Sequence, residues 1–558
     1  MIVSRSRAFL AAVVLALATQ ASPVLAQSTG PKILRPGAQT APADRPRQGD
    51  GIQVDRLDAP GRVAAGLLTE DNGGLPANLW SGSDRDVVAT LFQRMPDHYR
   101  SAAARELARQ LLLSAGDIAP GRLDDNALLA IRMTRLLHLG DAQSAVALAE
   151  AAGGGATAPE VAEPLTEALF VLGETERACD TAQGQIRLGG RGYWQKATVF
   201  CDLLAGRDSD ADLTRSLLSE TGQKDPLFDT LADALQSDRP ATIDATPDMQ
   251  AIHVAMLIAA KSATLRKRDQ LPPHLAVQVA AAPRMDTDDR IAAGTIAIRD
   301  AGMSPAIIML LFDGKTGPAG QPFRDPVVVA MGATSDAVRA EALNDLWNKS
   351  AKVEDRHVAA AYAEGFLSKL QAESGVTFMA PAALRMSLLN GDRSRARDWM
   401  AALRRNAAAG EGEAVAEQTR AQPLVQVAGL TSVDDRTLDL WLAGKTGSAA
   451  DRQHALTVLM LLDALGTPAG SRIWQSALGT AADGSAPSDP GLWRQLVMAT
   501  GGGRLGEAVQ AALALIGADG PAGLDPVAIS TIVGSLRRLG LEDAARRLAV
   551  ETVIAQGG

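Results

Sequence analysis

The sequence predicts an all-α protein, an α-solenoid of antiparallel helix pairs behind a disordered N-terminal tether. Three observations carry this expectation. Apolar residues recur at helical spacing along nearly all of the chain after residue 66. Glycine-marked turns interrupt them at intervals close to 34 residues. Aromatic residues are only 3% of the 558 residues, with three tyrosines. A β-sandwich or barrel needs far more β-branched and aromatic side chains. The abundant alanine and leucine favour helices and let them pack closely.

The best-defined unit lies at residues 129–149. Leu129, Met133, Leu136 and Leu137 fall at i, i+4, i+7 and i+8, one face of a helix. Gly140 is placed to end that helix, and Asp141 to cap the next. Ala142, Ala145, Val146 and Ala149 form the second helix's apolar stripe. The same layout recurs at Gly173-Glu174 with Ala178, Gly206 with Ala211, and Gly391-Asp392 with Ala396. It returns at Gly503 with Ala508 and Gly540 with Ala545. Gly140, Gly173 and Gly206 are 33 residues apart, and Gly503 and Gly540 are 37 apart.

A period near 34 is that of the tetratricopeptide repeat. The segments LHLGDAQSAVALAEAA (137–152), FVLGETERACDTA and RLGLEDAARRLAVE resemble the turn and second helix of that family. The family's first-helix Trp and Tyr positions are missing, and its closing proline is irregular. The chain thus resembles a degenerate tetratricopeptide-like repeat protein of the bacterial periplasm. The resemblance implies that Ala145, Ala178 and Ala545 sit where two helices touch. It also implies protein or peptide binding on a concave face.

The expected organisation is a signal peptide at 1–26, a disordered tether at 27–66, N-terminal helical repeats at 67–240, a middle helical region at 241–380 and C-terminal helical repeats at 381–558. In the middle, ATIDATPD (241–248) reads as a break, and FDGKTGPAGQPFRDP (312–326) as a Gly- and Pro-rich loop. GTAADGSAPSDPG (479–491) reads as another loop, while AIIMLLFDG and VLMLLDALG read as buried helix ends. Val327-Val328-Val329 fits a short strand or, preferably, a helix start after Pro326.

Arg5 and Arg7 precede an unbroken apolar run from Ala8 to Ala18; Pro23 and the small-x-small pattern Val24-Leu25-Ala26 follow. This is the layout of a secretory signal peptide. The run is too short to span about 30 Å of hydrocarbon. Cleavage is expected between Ala26 and Gln27, with no integral membrane segment afterwards. The mature protein is expected in the periplasm or outside the cell. The formal charge is −9, and losing Arg5 and Arg7 makes the mature chain more acidic still. An acidic surface argues against a nucleic-acid partner.

Cys179 and Cys201 are the only cysteines. An even count in an exported chain favours a structural disulfide; two buried thiols or a redox pair are the competing readings. His98, His138, His253, His274, His357 and His454 include no i, i+4 pair and no His-Glu-x-x-His. Each reads as a lone surface or packing residue, and no metal site is expected. Gly501-Gly502-Gly503-Arg504-Leu505-Gly506 matches a dinucleotide-loop pattern. It follows a helical segment rather than a strand, so it reads as an inter-helix turn. Asp124-Asp125, Asp288-Asp289 and Asp434-Asp435 stand at expected helix starts, where they balance the helix dipole. The seven tryptophans, Trp80, Trp194, Trp347, Trp399, Trp441, Trp474 and Trp493, are scattered one per region as helix anchors.

No catalytic residue and no cofactor is expected. The reading is an exported, non-enzymatic scaffold or adaptor for a protein or extended peptide in the cell envelope. The alternatives are a carbohydrate-active enzyme on a helical toroid, marked by two carboxylates about 5–10 Å apart beside tryptophans, and a structural subunit of an envelope or secretion assembly. The leader gives a direct expectation. Intact-mass measurement of the exported protein should place its first residue at Gln27; a chain retaining Met1 to Ala26 would refute cleavage.

Overall fold

A glycine with positive φ lets a helix stop and the chain turn back at once, because no Cβ crowds the left-handed conformation. Gly140, Gly173, Gly206, Gly391, Gly503 and Gly540 all adopt it, with φ between 67° and 86° in the computed structural model. The amide after each glycine returns to a carbonyl five residues back. Asp141 N–H donates to Leu136 O at 2.9 Å, Arg207 N–H to Asp202 O at 2.8 Å and Leu541 N–H to Leu536 O at 2.9 Å. These bonds satisfy carbonyls that a helix end leaves free. Asp141 and Asp392 accept from the amides of Ser144 and Arg395, whereas Glu174 makes no cap and pairs with Arg177 at 2.6 Å. Ala145, Ala178, Ala211, Ala396, Ala508 and Ala545, each five residues beyond its glycine, are all 0% exposed. Gly140 is constrained twice, since a Cβ there would stand 2.7 Å from the Ala301 side chain.

The structure describes residues 64–558 except 154–157, 238–239, 261–262, 313–322, 351, 374, 446 and 479–488. The expected leader, its Ala26–Gln27 junction and the tether up to residue 63 lie outside the described residues. The first nine helices are α1 (Arg85–Arg94), α2 (Ala102–Leu113), α3 (Asp125–His138), α4 (Ala142–Ala151), α5 (Pro159–Leu172), α6 (Thr175–Arg187), α7 (Tyr193–Leu204), α8 (Asp208–Glu220) and α9 (Pro226–Ser237). Strand β1 (Ala241–Asp244), α10 (Ala251–Ala259), β2 (Ala263–Arg266), α11 (Pro273–Ala281), α12 (Thr287–Ala301), α13 (Ala306–Met309), α14 (Arg324–Gly332), α15 (Asp336–Lys349) and α16 (Val353–Leu367) follow. The last ten are α17 (Ala380–Leu389), α18 (Arg393–Ala408), α19 (Gly412–Val427), α20 (Asp435–Ala443), α21 (Ala449–Ala464), α22 (Ser471–Leu478), α23 (Pro490–Gly501), α24 (Leu505–Ile516), α25 (Pro526–Arg538) and α26 (Glu542–Ala555). The chain is mostly helical, as its composition predicts.

Sequential helices pack on one another through most of the chain, from α3 to α8 and again from α14 to α20. The Cys179–Cys201 disulfide joins α6 to α7 with Cα atoms 5.8 Å apart. Closing a loop of this length removes unfolded-state entropy equivalent to about 3 kcal/mol. The middle region then folds back, with α10 and α11 resting on α5 and α11 also meeting α3. Gln278 of α11 donates to the Phe170 carbonyl of α5 at 2.9 Å.

Three local expectations change. ATIDATPD is not only a break: Ala241–Asp244 pairs in parallel with Ala263–Arg266, Ile243 opposite Leu265. Four residues are too few for a visible alternation, and the partner strand lies beyond a helix. AIIMLLFDG is not a buried helix end. Only Ile308 of the four-residue α13 is buried, and Leu310 is 82% exposed. Val327-Val328-Val329 is helical, inside α14. VLMLLDALG is buried as expected, Val458, Leu459, Leu461 and Leu462 all being 0% exposed.

The first helices meet the last. Helices α1 and α2 pack on α24, and α2 packs on α26. Gly506 N–H donates to Leu79 O at 2.8 Å, and Arg100 N–H to Ala518 O at 2.9 Å. Gly506 admits the Trp80 ring, which a Cβ would meet at 2.3 Å. The decisive contact is Glu551 of α26. Its carboxylate accepts from the Ala103 amide at 2.8 Å and from the Ser101 hydroxyl, in the first turn of α2. A carboxylate there satisfies orphan amides and meets the positive end of the helix dipole. Glu551 is 5% exposed. Glu551→Ala leaves buried donors without a charged acceptor and should cost about 2–3 kcal/mol, read as a fall in the urea midpoint. An unchanged midpoint would remove Glu551 from the closure.

Candidate polar cleft

Helix α5 begins at Pro159, whose missing N–H costs nothing in a first turn. Glu160, Glu163 and Glu167 then fall at i, i+3 and i+7, on one face. Pro164 lies inside the helix and has no N–H to give the Glu160 carbonyl. This face borders a cleft of about 660 Å³. Thr134, Leu137 and His138 of α3 line a second side, and Asp97 and His98, from the link between α1 and α2, a third. Pro247 to Gln250, before α10, and Gln270 to His274, at the start of α11, complete it. Leu137, Met249 and Leu271 are buried apolar residues of this lining.

The cleft joins three histidines that the sequence presents as separate. His138 Nδ1 lies 2.9 Å from Asp97 Oδ1, which also accepts from Arg135 at 2.6 Å. The His138 hydrogen bond, with charge from His138 and Arg135, holds the Asp97 carboxyl down at about 2. The His138 and His274 rings are 4.8 Å apart, centre to centre. Burial and the adjacent His138 push His274 down to about 3. Burial also lowers His98. The expectation of lone histidines therefore fails for His98, His138 and His274, which loops and helices far apart in sequence bring to one site.

Glu163 is raised above the ordinary carboxyl range by burial. Glu167 is raised by burial too, against opposing hydrogen bonds from the Tyr193 hydroxyl at 2.6 Å and the Ala251 amide at 2.8 Å. Glu167 thereby holds the start of α10 to α5. Glu160, Glu163 and Asp248 make no hydrogen bond or ion pair with another described residue. His274 makes no hydrogen bond to one either. No group of three His, Cys, Asp or Glu among the described residues could hold a metal ion.

No protein-family model, curated protein or solved structure matches this chain.

The other sequence-marked residues lie away from the cleft. His253 is buried; its Nδ1 accepts from the Gln250 amide at 3.1 Å, so its Nε2–H faces Asp225, 3.1 Å away. Lys196 joins Asp225 at 2.6 Å. These contacts fix α10 to the starts of α9 and α7 and hold the Asp225 carboxyl far below its usual range. His454 is buried between Lys445 and the Trp441 ring. His357 lies apart, beside Glu551 and Arg105. Asp124 and Asp434 cap α3 and α20, whereas Asp289 is buried against Arg268. Gly501 to Gly506 form the turn from α23 into α24. No tryptophan lines the cleft: Trp399 is wholly buried, and Trp80 packs on Phe92. No described helix is long and apolar enough to cross a membrane.

The histidine shifts set a pH window. Unfolded, His274 takes a proton near 6.5; folded, only near 3. Its contribution is therefore present above about pH 6.5 and is lost as pH falls toward 3. Asp97, depressed by its partners, adds a separate loss only below about pH 4. Urea midpoints at pH 7, 6, 5 and 4 should fall for the wild type. His274→Gln should flatten that fall by at most about 1.4 kcal/mol per pH unit, the limit for one proton. Parallel profiles would show that His274 takes up its proton over the same pH range folded and unfolded.

Proposed function

We propose that the chain is an exported scaffold or adaptor of the cell envelope, built of tetratricopeptide-like helix pairs, that binds a protein or peptide. The observation that carries this reading is the repeated turn. Six glycines with positive φ each precede, by five residues, an alanine with no exposed surface. Closely packed helix pairs of this kind, stacked on neighbours, are the units of peptide-binding arrays. A polar cleft with unclaimed carboxylates then offers a place for the ligand.

Because α10 and α11 rest on α5, a long peptide has little of that face to follow, and docking concentrates on the cleft. The carbohydrate-enzyme reading loses support, since the cleft has carboxylates but no aromatic platform for a sugar ring. One observation favours the assembly-subunit reading: Leu213 and Leu217, one turn apart on α8, are 73% and 46% exposed. Affinity capture of the exported protein from envelope extract separates these readings. The adaptor reading expects a distinct chain that re-binds the purified protein at micromolar concentration or below. Recovery of self-copies alone would overturn it in favour of the subunit.

A further inference from the structure

One wall of the cleft is carried by the chain that leaves β2. Lys267, directly after the strand, is the one non-glycine residue among those described with positive φ, at 48°. A side chain in that conformation strains the backbone. Polar contacts hold it there: Lys267 reaches Asp244 at 3.0 Å, and Arg268 reaches the buried Asp289 of α12. Arg268–Gln270 then makes a single 3-10 turn, Leu271 is buried, and Pro272-Pro273 lead into α11. Gln270 to His274 line the cleft.

His274 ends this segment in surroundings that suit a neutral ring. It lies in the first turn of α11, whose free amides no side chain caps. The positive end of the helix dipole opposes a proton there. The ring stacks on His138, 4.8 Å away, and hydrogen-bonds to no described residue. Asp97 is the carboxylate that favours a proton on His274, but His138 and Arg135 already take it. His98, beside Asp97, opposes one. The other packed elements have their charges committed. Asp300 of α12 pairs with Arg299 and Arg100, and Asp289 with Arg268. On α10, His253 faces Asp225, and on α5, Glu167 holds Tyr193 and Ala251. Glu160, Glu163 and Asp248 border the cleft without partners among the described residues.

We infer that residues 267–274 form a gate on the cleft, held shut by the stack of neutral His274 on His138 and released by acid. A protonated ring is opposed by His138 and by the start of α11, so it leaves the stack for water or for the carboxylates that border the cleft. Pro272 and Pro273 couple the ring to the turn before it, so the wall from Gln270 to His274 moves with it. Lys267 is the pivot, and reburial of Leu271 returns the gate at neutral pH. The rest of α11 stays in place. Leu275, Ala276 and Val279 are 0% exposed, and Gln278 is bonded to the Phe170 carbonyl. The gate is independent of what the cleft binds.

Amide hydrogen exchange tests the gate on the purified exported protein at pH 7.5 and pH 5.0, with rates corrected for the pH dependence of the chemical step. The informative amides are those of Gln270, Leu271, Leu275 and Ala276, which bond to the carbonyls of Lys267, Arg268 and Pro272. A ring that titrates near 3 when stacked titrates near 6.5 once released. The open form therefore gains its proton first as pH falls, and protection at these amides should drop about thirtyfold between the two pH values. A local opening exposes little surface, so about 1 M urea should leave these rates unchanged while it speeds exchange in α18. His274→Gln should abolish the acid response and keep the indifference to urea. An equal acid response in His274→Gln overturns the gate. Protection and urea dependence equal to those of α18 in the wild type also overturn it, because the segment would then open only when the whole protein unfolds.

Discussion

The contact on which the rest of the structure depends is that of Glu551 with the first turn of α2. Helix α2 follows only three residues after His98, so whatever fixes its start also fixes Asp97 and His98. Glu551 does so from the other end of the described chain, with a buried carboxylate on the Ala103 amide and the Ser101 hydroxyl. The Arg105 guanidinium reinforces this locally by binding the Tyr99 carbonyl at 2.7 Å. Asp97 is then held where it can orient His138, 41 residues away in sequence. The polar cleft thus inherits its geometry from a helix cap in a different part of the molecule. A change at Glu551 reaches the cleft through backbone position, without touching any residue that lines it.

The same closure explains the character of α26. A helix at the edge of an array has one apolar face and one solvated face. Here α26 meets α2, α17, α19, α21 and α25, and Leu548, Ala549, Val550, Val553 and Ile554 are all buried. Glu551 and Thr552 are buried among them. A charge in that position is tolerable only because its oxygens are fully used.

Much of the fold was legible because its signals are local. Gly140 and Asp141 adjoin in sequence and act on adjacent backbone groups, so spacing alone locates the turn. The disulfide was legible because Cys179 and Cys201 belong to consecutive helices. The fold-back of α10 and α11 was not, since it depends on Glu167 and Gln278 reaching backbone groups far along the chain. Glu160, Glu163 and Glu167 carried a usable signal, a one-sided carboxylate row at helical spacing. It was hidden by the ordinary appearance of glutamates on helices. The histidine cluster had no sequence signal at all: His98, His138 and His274 share no spacing rule and meet through tertiary packing.

The fold-back also explains why the cleft is polar. If α10 and α11 were absent, the α3–α5 face would be a broad surface suited to an extended ligand. Their arrival covers the apolar part of that face and brings Asp248, Met249 and His274 to its rim. Glu167 is consumed in anchoring α10, while Glu163, one turn earlier, is left without a partner. One helix face therefore divides its carboxylates between holding the chain's own segment and facing the cavity. Burial raises both, but only Glu167 gains donors from its own chain.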